Sequence, residues 1–439
     1  MNRIIERVGV GLLICLMSNS LWAQFQVDRV GDLPEAVSNN AVCEGFINGE
    51  AYLYSFGGID TSKKYSGIHL RSFRFNTQTG LAERIPDLPD TLGKVAAAAS
   101  RIGDVIYIAG GYHVYANGNE RSSNKMHRYQ ISTNSFLPDG QNMPVATDDH
   151  VQAVWKDSLI YLITGWSHSG NIPLVQIYDA KNDSWTAGSN VPNNHDYKSF
   201  GSSGIIIGDT IYYYGGASGS AGFAAQNQLR MGVINPSDPT QITWSISTPD
   251  SNEYGYRMAC ARLENKVLWI GGSEVTYNYN GIAYNGSGGV APINRYIYIT
   301  HPDQIWIKDQ ISVPMDLRGV ADVGMGVFYL AGGMEEDQKV TSAVHQLRWN
   351  HLNLPDLETV AQQLTLYPQP ARNQITLNWK QEIIKPWKVK LYHSSGRLLE
   401  ERNMNQETMI WKLNYSPGIY YFLLNDGEST ISKRFVLSE

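Results

Sequence analysis

Apolar and aromatic residues recur along the chain in short runs that end in two small residues. The runs return about every 50 to 60 residues, a spacing that indicates an internal repeat. Six of them can be recognised: Tyr52–Gly58, Ile106–Gly111, Ile160–Gly165, Ile211–Gly216, Val267–Gly272 and Phe328–Gly333. The third ends in Thr-Gly, whereas the others end in Gly-Gly. A period of this length predicts supersecondary units that stack side by side.

Each repeat divides into four predicted strands separated by turn residues. The first strand is small and apolar, as in Val95–Ala99, and a turn such as Gly103-Asp104 follows it. The strand with the small pair comes next, then an alternating strand, then a strand that often begins with Trp, as at Trp185 and Trp244. Four strands per repeat predict a blade of antiparallel sheet.

The last repeat lacks its fourth strand, and one unassigned strand remains near the N-terminus. The last repeat reaches Val344–Trp349, and the spare strand is Phe25–Pro34. Pairing the two closes a ring and removes an exposed sheet edge. We therefore predict an all-β fold with a six-bladed β-propeller over residues 24–350, in which residues 24–34 form the closing strand.

The order of a Gly-Gly strand, a Tyr strand and a Trp strand resembles the kelch family over about three quarters of the chain. The resemblance implies that the six predicted blades form a propeller of the kelch type. Kelch propellers bind ligands as often as they catalyse reactions, so the fold leaves the function open.

The N-terminus has the pattern of a secretory signal. Arg3 and Arg7 precede the apolar run Val8–Met17, and small or polar residues lead to a cleavage point after Ala23. The run is too short to span a bilayer, and we find no other candidate in the sequence. We predict that residues 1–23 are a signal peptide and that the mature protein is exported without a membrane span.

Composition excludes two broad classes of protein. The 439 residues include 35 Lys and Arg against 41 Asp and Glu, a net charge of −6. No excess of cations is available to displace the counterions of nucleic acid, so we expect no nucleic-acid partner. With only 3 Cys, a disulfide scaffold is also excluded.

A second β domain follows the repeats. Residues 351–363 are predicted to be a linker, and residues 364–439 a small immunoglobulin-like β-sandwich. Its motifs, in order, are Leu366–Ala371 (LYPQPA), Ile375–Trp379, Val389–Tyr392 before Ser395-Gly396-Arg397, Pro417–Tyr421 (PGIYY) and Lys433–Val436. They resemble the C-terminal sorting domain of the type IX secretion system, although Gln369 stands where that family usually has Asn. The resemblance implies a Bacteroidota-type cell, the secretion machinery as a partner, and a protein that is secreted or attached to the outer cell surface. An ordinary carbohydrate-binding sandwich is the alternative.

No familiar catalytic or metal-binding signature occurs in the sequence. Copper radical oxidases of the kelch type need a Tyr linked to a Cys, whereas Cys43 and Cys260 are expected to be buried thiols of innermost strands. His113, His150, His168 and His195 have no short ligand spacing. We therefore expect no cofactor and no metal.

Strand polarity places two sets of loops at one end of the propeller axis, where ligands usually bind. The residues just before the innermost strands form a predicted basic ring: Asn40, Lys94, His150, Lys198, Arg257 and Arg318. Such a ring would attract a carboxylate or sulfate. The alternative is that these cations form ion pairs between blades with nearby acidic residues such as Asp149 and Asp316.

The loops between the second and third strands are rich in aromatic residues and His. The candidates for ligand binding are His113, Trp166, His168, Tyr277 and Tyr279. Aromatic faces with amide and imidazole donors suit sugar recognition. The alternative is that these side chains only cover the neighbouring blade.

We predict a carbohydrate, possibly anionic, as the ligand of a monomeric protein. Six-bladed kelch proteins include sialic-acid epimerases, so the resemblance to the kelch family suggests a sugar mutarotase or epimerase as a second possibility. His150 is then a candidate acid or base. A protein-binding adhesin or scaffold is the third.

Overall fold

The computed structural model describes residues 24–168, 170–247, 253–264, 266–277, 290–301, 304–309, 311–350, 364–380, 383, 386–394, 398–425 and 430–438. They divide into two compact units, Phe25–Trp349 and a second unit within Asn350–Glu439. Within the described residues the regular elements are strands and three 3-10 helices of one turn each, at Tyr65–Gly67, Gly219–Ala221 and Glu336–Gln338.

The larger unit consists of six antiparallel blades around an axis. β1 (Gln24–Asp32) belongs to the last blade. From the inside outwards, blade 1 is β2 (Ala41–Ile47), β3 (Glu50–Ile59), β4 (Ile68–Asn76) and β5 (Ala82–Ile85). Blade 2 is β6 (Val95–Ile102), β7 (Val105–Val114), with the short β8 (Glu120–Ser122) beside it, β9 (Met126–Gln130) and β10 (Ser135–Leu137).

Blades 3 to 5 repeat this arrangement. Blade 3 is β11 (Val151–Trp155), β12 (Leu159–Ile163), the small hairpin β13 (Trp166–Ser167) and β14 (Gly170–Asn171), then β15 (Val175–Asp179) and β16 (Ser184–Gly188). Blade 4 is β17 (Ser203–Ile207), β18 (Thr210–Tyr214), β19 (Leu229–Asn235) and β20 (Asp238–Ser247). Blade 5 is β21 (Ala259–Leu263), β22 (Lys266–Ile270), β23 (Arg295–His301) and β24 (Gln304–Asp309).

Blade 6 combines the two ends of the propeller sequence. It contains β25 (Arg318–Gly319), β26 (Ala321–Asp322), β27 (Val327–Ala331), the hairpin β28 (Met334–Glu335) and β29 (Lys339–Val340), and β30 (Ala343–Asn350). The sheet runs β26, β27, β30, β1, so the N-terminal strand lies at its outer edge. β25 pairs in parallel with β2 of blade 1, with Ala41 opposite Arg318. The predicted all-β, six-bladed propeller is confirmed.

The apolar core lies between adjacent blades. Tyr54 and Phe56 of β3 meet Tyr129 of β9, with ring centroids 5.6 Å apart in both pairs. Where β1 closes the ring, Phe25 lies with its ring centroid 4.9 Å from that of Tyr296 in blade 5 and 4.9 Å from that of Trp349. Each blade is therefore stabilised by its neighbours, and the first is joined to the last.

The Gly-Gly pairs are required where one blade approaches the next. Gly110 has φ 66°, and a Cβ there would lie 2.1 Å from the carbonyl oxygen of Thr147 in the entry to blade 3. Thr164 occupies the same position in blade 3 with φ 51°. Its hydroxyl lies 2.9 Å from the carbonyl oxygen of Ile172 and accepts from the N–H of Ser199 at 3.0 Å. These contacts hold a β-branched residue in a conformation that it rarely adopts.

The second unit is a β-sandwich. One sheet has the order β31 (Leu364–Tyr367), β32 (Gln374–Trp379), β35 (Thr408–Lys412). The other has the order β34 (Leu398–Met404), β33 (Trp387–His393), β36 (Gly418–Asn425), β37 (Thr430–Leu437). Between them Trp411, Phe422 and Phe435 are fully buried. The predicted immunoglobulin-like β domain is confirmed.

Candidate functional site

Six residues in the left-handed conformation form a ring at one end of the propeller axis, one from each blade entry. They are Asn39 (φ 54°), Ala96 (φ 56°), Asp149 (φ 47°), Gly201 (φ 66°), Arg257 (φ 50°) and Asp316 (φ 65°). Backbone hydrogen bonds link them in sequence: Ala96 N–H to Asn39 O, Asp149 N–H to Ala96 O, Gly201 N–H to Asp149 O, and Arg257 N–H to Gly201 O. Leu317 N–H donates to Arg257 O, and Asn39 N–H donates to Asp316 O, which closes the ring. We call these six residues the axial ring.

The charged members of the axial ring form ion pairs with one another. Arg257 donates through Nη2 and Nε to the carboxylate of Asp149, at 2.7 and 3.2 Å, and through Nη1 to Asp316 at 2.9 Å. Its guanidinium also lies over the rings of Tyr256 and Tyr277, 5.1 and 5.7 Å from their centroids. All three charged side chains are buried. Arg257 therefore joins blade entries across the axis.

The cations predicted to surround the axis occupy different environments. Lys94 is buried and donates to Asp90 at 2.7 Å and to His127 at 2.9 Å. Arg318 is buried and donates to the carbonyl oxygen of His150 at 2.8 Å. Lys198 is half-buried and is not part of the axial ring, and its backbone N–H donates to Asn194 O. Of the sequence-predicted set, only Arg257 belongs to the axial ring.

His150 faces the channel between the innermost strands. This channel has a volume of about 290 Å³, and its lining also includes Cys43, Cys260 and Arg318. Burial, and secondarily the charge of Arg318, lowers the pKa of His150 to about 3. Burial likewise raises the pKa of both thiols. His150 is therefore neutral at physiological pH and the cysteines stay as thiols.

A cavity of about 370 Å³, which we call the mouth cavity, opens beside the axial ring. Residues of blades 2, 3, 4 and 5 line it. Its aromatic lining is Tyr112, Trp166, Phe200, Phe223, Tyr256 and Tyr277. Its polar lining is Glu120, Asp148, Asp149, Arg257 and Thr276. The short β8 supplies Glu120, β13 supplies Trp166, and the loops after β18 and β22 supply Phe223 and Tyr277.

The aromatic side chains form one continuous wall. Phe200 lies at its centre, with its ring centroid 5.4 Å from that of Trp166, 6.2 Å from that of Phe223 and 5.9 Å from that of Tyr256. Tyr256 continues the wall to Tyr277, with the ring centroids 5.3 Å apart. Phe223 is 49% exposed at the outer end. The wall therefore offers apolar ring faces from the rim of the cavity to the axial ring.

Two carboxyl groups in the mouth cavity have no cationic partner among the described residues. Asp148 is 3% exposed, and its Oδ2 has no hydrogen-bond partner there. Burial, followed by the charge of Asp149, raises its pKa well above the usual range. Desolvation, followed by the same neighbour, raises the pKa of Glu120, which lies at the exposed rim. The cavity is thus rich in carboxyl oxygens.

The remaining candidates from the sequence fall into three groups. Trp166 and Tyr277 line the mouth cavity. His113 lines a separate cleft of about 170 Å³ with Lys94, and its Nδ1 donates to Gly93 O at 2.8 Å. His168 is exposed, and its backbone N–H donates to the hydroxyl of Ser122. Tyr279 lies outside the described residues.

Sequence reasoning missed several residues of the mouth cavity, namely Tyr112, Glu120, Asp148, Phe200, Phe223 and Tyr256. One available signal was the neighbourhood of the axial ring, because Asp148 and Tyr256 directly precede Asp149 and Arg257. Among the described residues, no cluster of three or more His, Cys, Asp or Glu is arranged to hold a metal ion. In the same part of the chain no helix is long and apolar enough to cross a membrane.

Comparison with known proteins finds similarities for both units. Residues 365–438 match the family described as the secretion system C-terminal sorting domain. Kelch-like protein 36 of Bos taurus is 25% identical over 173 residues, and that of Mus musculus is 24% identical. The matched segment is 39% of this chain and 26% of either relative. The solved structure titled "Structure of YjhT" has a TM-score of 0.56 and 14% identity over 72% of this chain and 96% of that protein.

The first unit thus has the fold of a kelch-type β-propeller, and the second matches the sorting domain of the type IX secretion system. The sorting domain directs export across the outer membrane, to the cell surface or the extracellular space. The predicted export to the cell surface or the extracellular space, with the secretion machinery as a partner, is confirmed.

Proposed function

We propose that this exported propeller binds a carbohydrate in the mouth cavity. The observation that carries the proposal is the aromatic wall facing carboxyl oxygens across a cavity of about 370 Å³. Sugar rings stack their C–H faces on aromatic side chains, while carboxyl oxygens accept hydrogen bonds from hydroxyl groups. The volume also lies in the range of about 300 to 1,000 Å³ that is usual for small-ligand sites.

The charge of the cavity argues against an anionic sugar. Arg257 is the only cationic side chain in the described lining, and its guanidinium is bound by Asp149 and Asp316. A ligand carboxylate would have to displace one of these partners and would face the carboxyl groups of Asp148 and Glu120. The proposed ligand is therefore not an acidic sugar.

A glycan array probed with the full chain tests the proposal, followed by titration of the best glycan. Phe223 is the most exposed ring of the wall. Replacing it with Ala should weaken the binding of that glycan roughly two- to tenfold, which corresponds to the usual contribution of one aromatic contact. Phe46→Ala is the matched control, because Phe46 is also exposed but does not line the cavity. Absence of any bound glycan, or equal affinities of the two variants, would refute carbohydrate binding in this cavity.

Sugar mutarotation is a second candidate, favoured by one specific observation. Asp148 has a raised pKa and an unpartnered oxygen in the cavity, which suits a general acid better than the buried His150. Asp148 would give its proton to the ring oxygen as Glu120 takes the proton of the anomeric hydroxyl. The ring C–O bond then breaks, and the open form closes on either face. Faster exchange between anomers in an NMR spectrum, lost in Asp148→Asn, would separate this activity from binding alone.

A further inference from the structure

Three hydrogen-bond donors of the mouth cavity are already bound to the protein. Arg257 donates to Asp149 and Asp316, the hydroxyl of Tyr277 donates to Asp316 at 2.9 Å, and the hydroxyl of Thr276 donates to Phe223 O at 2.7 Å. A ligand that accepts hydrogen bonds from these three side chains would have to break their contacts, which include buried charged groups.

The acceptors, by contrast, are available. Oδ2 of Asp148 is buried in the cavity without a hydrogen-bond partner among the described residues. Glu120 lies at the rim, and no cation in the described part of the chain forms an ion pair with it. Leaving a buried carboxyl oxygen unpaired costs free energy, which a ligand donor would recover.

The aromatic wall, like the carboxyl groups, favours a cationic ligand. Aromatic faces carry partial negative charge and attract cations that come within about 6 Å of the ring centroid. The wall uses one such interaction itself, because the guanidinium of Arg257 lies over Tyr256 and Tyr277. The cavity is therefore electron-rich both on its apolar side and on its polar side.

We propose that the ligand of the mouth cavity is an amino sugar with a free, protonated amine. This proposal rests on the proposed carbohydrate function and names the class of sugar. The sugar ring stacks on the wall that contains Trp166 and Phe200, and the ammonium group donates to Glu120 and Asp148. An N-acetylated sugar lacks the charge, and a neutral sugar lacks both the charge and the three N–H donors.

Three disaccharides with the same β-1,4 linkage test the proposal on the full chain: the glucosamine dimer, the N-acetylglucosamine dimer and cellobiose. Isothermal titration near pH 6, where the amine is protonated, should give at least tenfold tighter binding of the glucosamine dimer, since a charge-assisted hydrogen bond distinguishes it. Equal or tighter binding of either uncharged dimer would overturn the amino-sugar proposal and leave carbohydrate binding intact. If none of the three binds and the glycan array is also blank, the proposed function itself fails.

Glu120→Gln and Glu336→Gln form a matched pair of variants. Both residues are exposed acids in loops between second and third strands, but only Glu120 lines the mouth cavity. Glu120→Gln should lower the affinity for the glucosamine dimer about tenfold and leave cellobiose unchanged. Glu336→Gln should change neither affinity. A loss of similar size in both variants would indicate only a general effect of surface charge and would overturn the assignment of Glu120.

Discussion

Asp149 has two effects on its neighbours. Its carboxylate accepts two hydrogen bonds from Arg257 and thereby joins two blade entries. Burial, followed by the charge of Asp149, raises the pKa of the adjacent Asp148. The same carboxylate thus takes part in an ion pair of the axial ring and adds to the effect of burial on an acid of the mouth cavity.

We predict that Asp148→Asn stabilises the protein at neutral pH. The pKa of Asp148 is raised in the folded state, by burial and then by Asp149 and Glu120, while Ser122 and Arg257 act in the opposite direction. Because the pKa of Asp148 is raised in the folded state, the contribution of this group to stability is fully present below its unfolded pKa of about 4. That contribution is lost as the pH rises through the folded pKa. Melting temperatures at pH 4 and pH 7 should therefore show a gain for the variant that is larger at pH 7.

Asp316→Asn is the matched control with the opposite sign. Asp316 is fully buried and paired with Arg257, so its loss removes one of the two carboxylates that bind the buried guanidinium. Breaking such a pair costs about 3 to 5 kcal/mol. A destabilised Asp148→Asn at pH 7 would show that this carboxyl group is a structural acceptor rather than an uncompensated one.

At the scale of the element, the sequence predicts strands well and the axial ring poorly. Alternation and the small-residue pairs identify every blade, since each strand has one face against the next blade. The sequence predicts a ring from the residue before each apolar strand, but in five blades that residue lies one to three positions away from the member of the axial ring. Backbone conformation selects the ring instead, because left-handed φ favours Asn, Asp and Gly, as at Asn39, Asp149 and Gly201.

The mouth cavity could not be predicted for a related reason. Its wall joins residues such as Trp166 and Phe223 that are distant in the chain and meet only when adjacent blades pack. Local patterns report the loops that carry them but not which side chains converge. Trp166 and Tyr277 were found because their loops are conspicuously aromatic, whereas Glu120 lies on the short β8 with no pattern of its own.

Closure of the ring by β1 leads to a prediction at the element scale. Phe25 is 4% exposed and packs between Tyr296 and Trp349. Phe25→Ala should lower the free energy of unfolding by about 3 to 5 kcal/mol, because a buried aromatic ring is lost and a cavity remains. Chemical denaturation measures this change.

Gln26→Ala is the control for β1, because Gln26 points to solvent on the other face of the same strand. It should change the free energy of unfolding by no more than about 0.5 kcal/mol. Equal effects of the two substitutions would mean that β1 contributes no specific packing to the closed ring.

On the scale of the whole molecule, the proposed ligand site lies in the propeller, whereas the second unit matches the secretion sorting domain. The core of the second unit consists of its own residues, including Trp411, Phe422 and Phe435, and the blades have separate cores. Since the sandwich does not need the propeller to bury its apolar side chains, it can act as a transferable address.

The last prediction tests this division. A chain that ends before Leu364 should retain a folded propeller and its glucosamine-dimer affinity, yet remain in the periplasm, because the sorting domain at residues 365–438 is missing. Conversely, residues 1–23 and 364–439 fused to the two ends of a periplasmic reporter should carry the reporter to the cell surface or the medium. Cell fractionation and surface proteolysis measure both outcomes. Normal export of the truncated chain would place the transport signal in the propeller, and a stranded reporter would show that the sandwich needs a feature of the propeller to be transported.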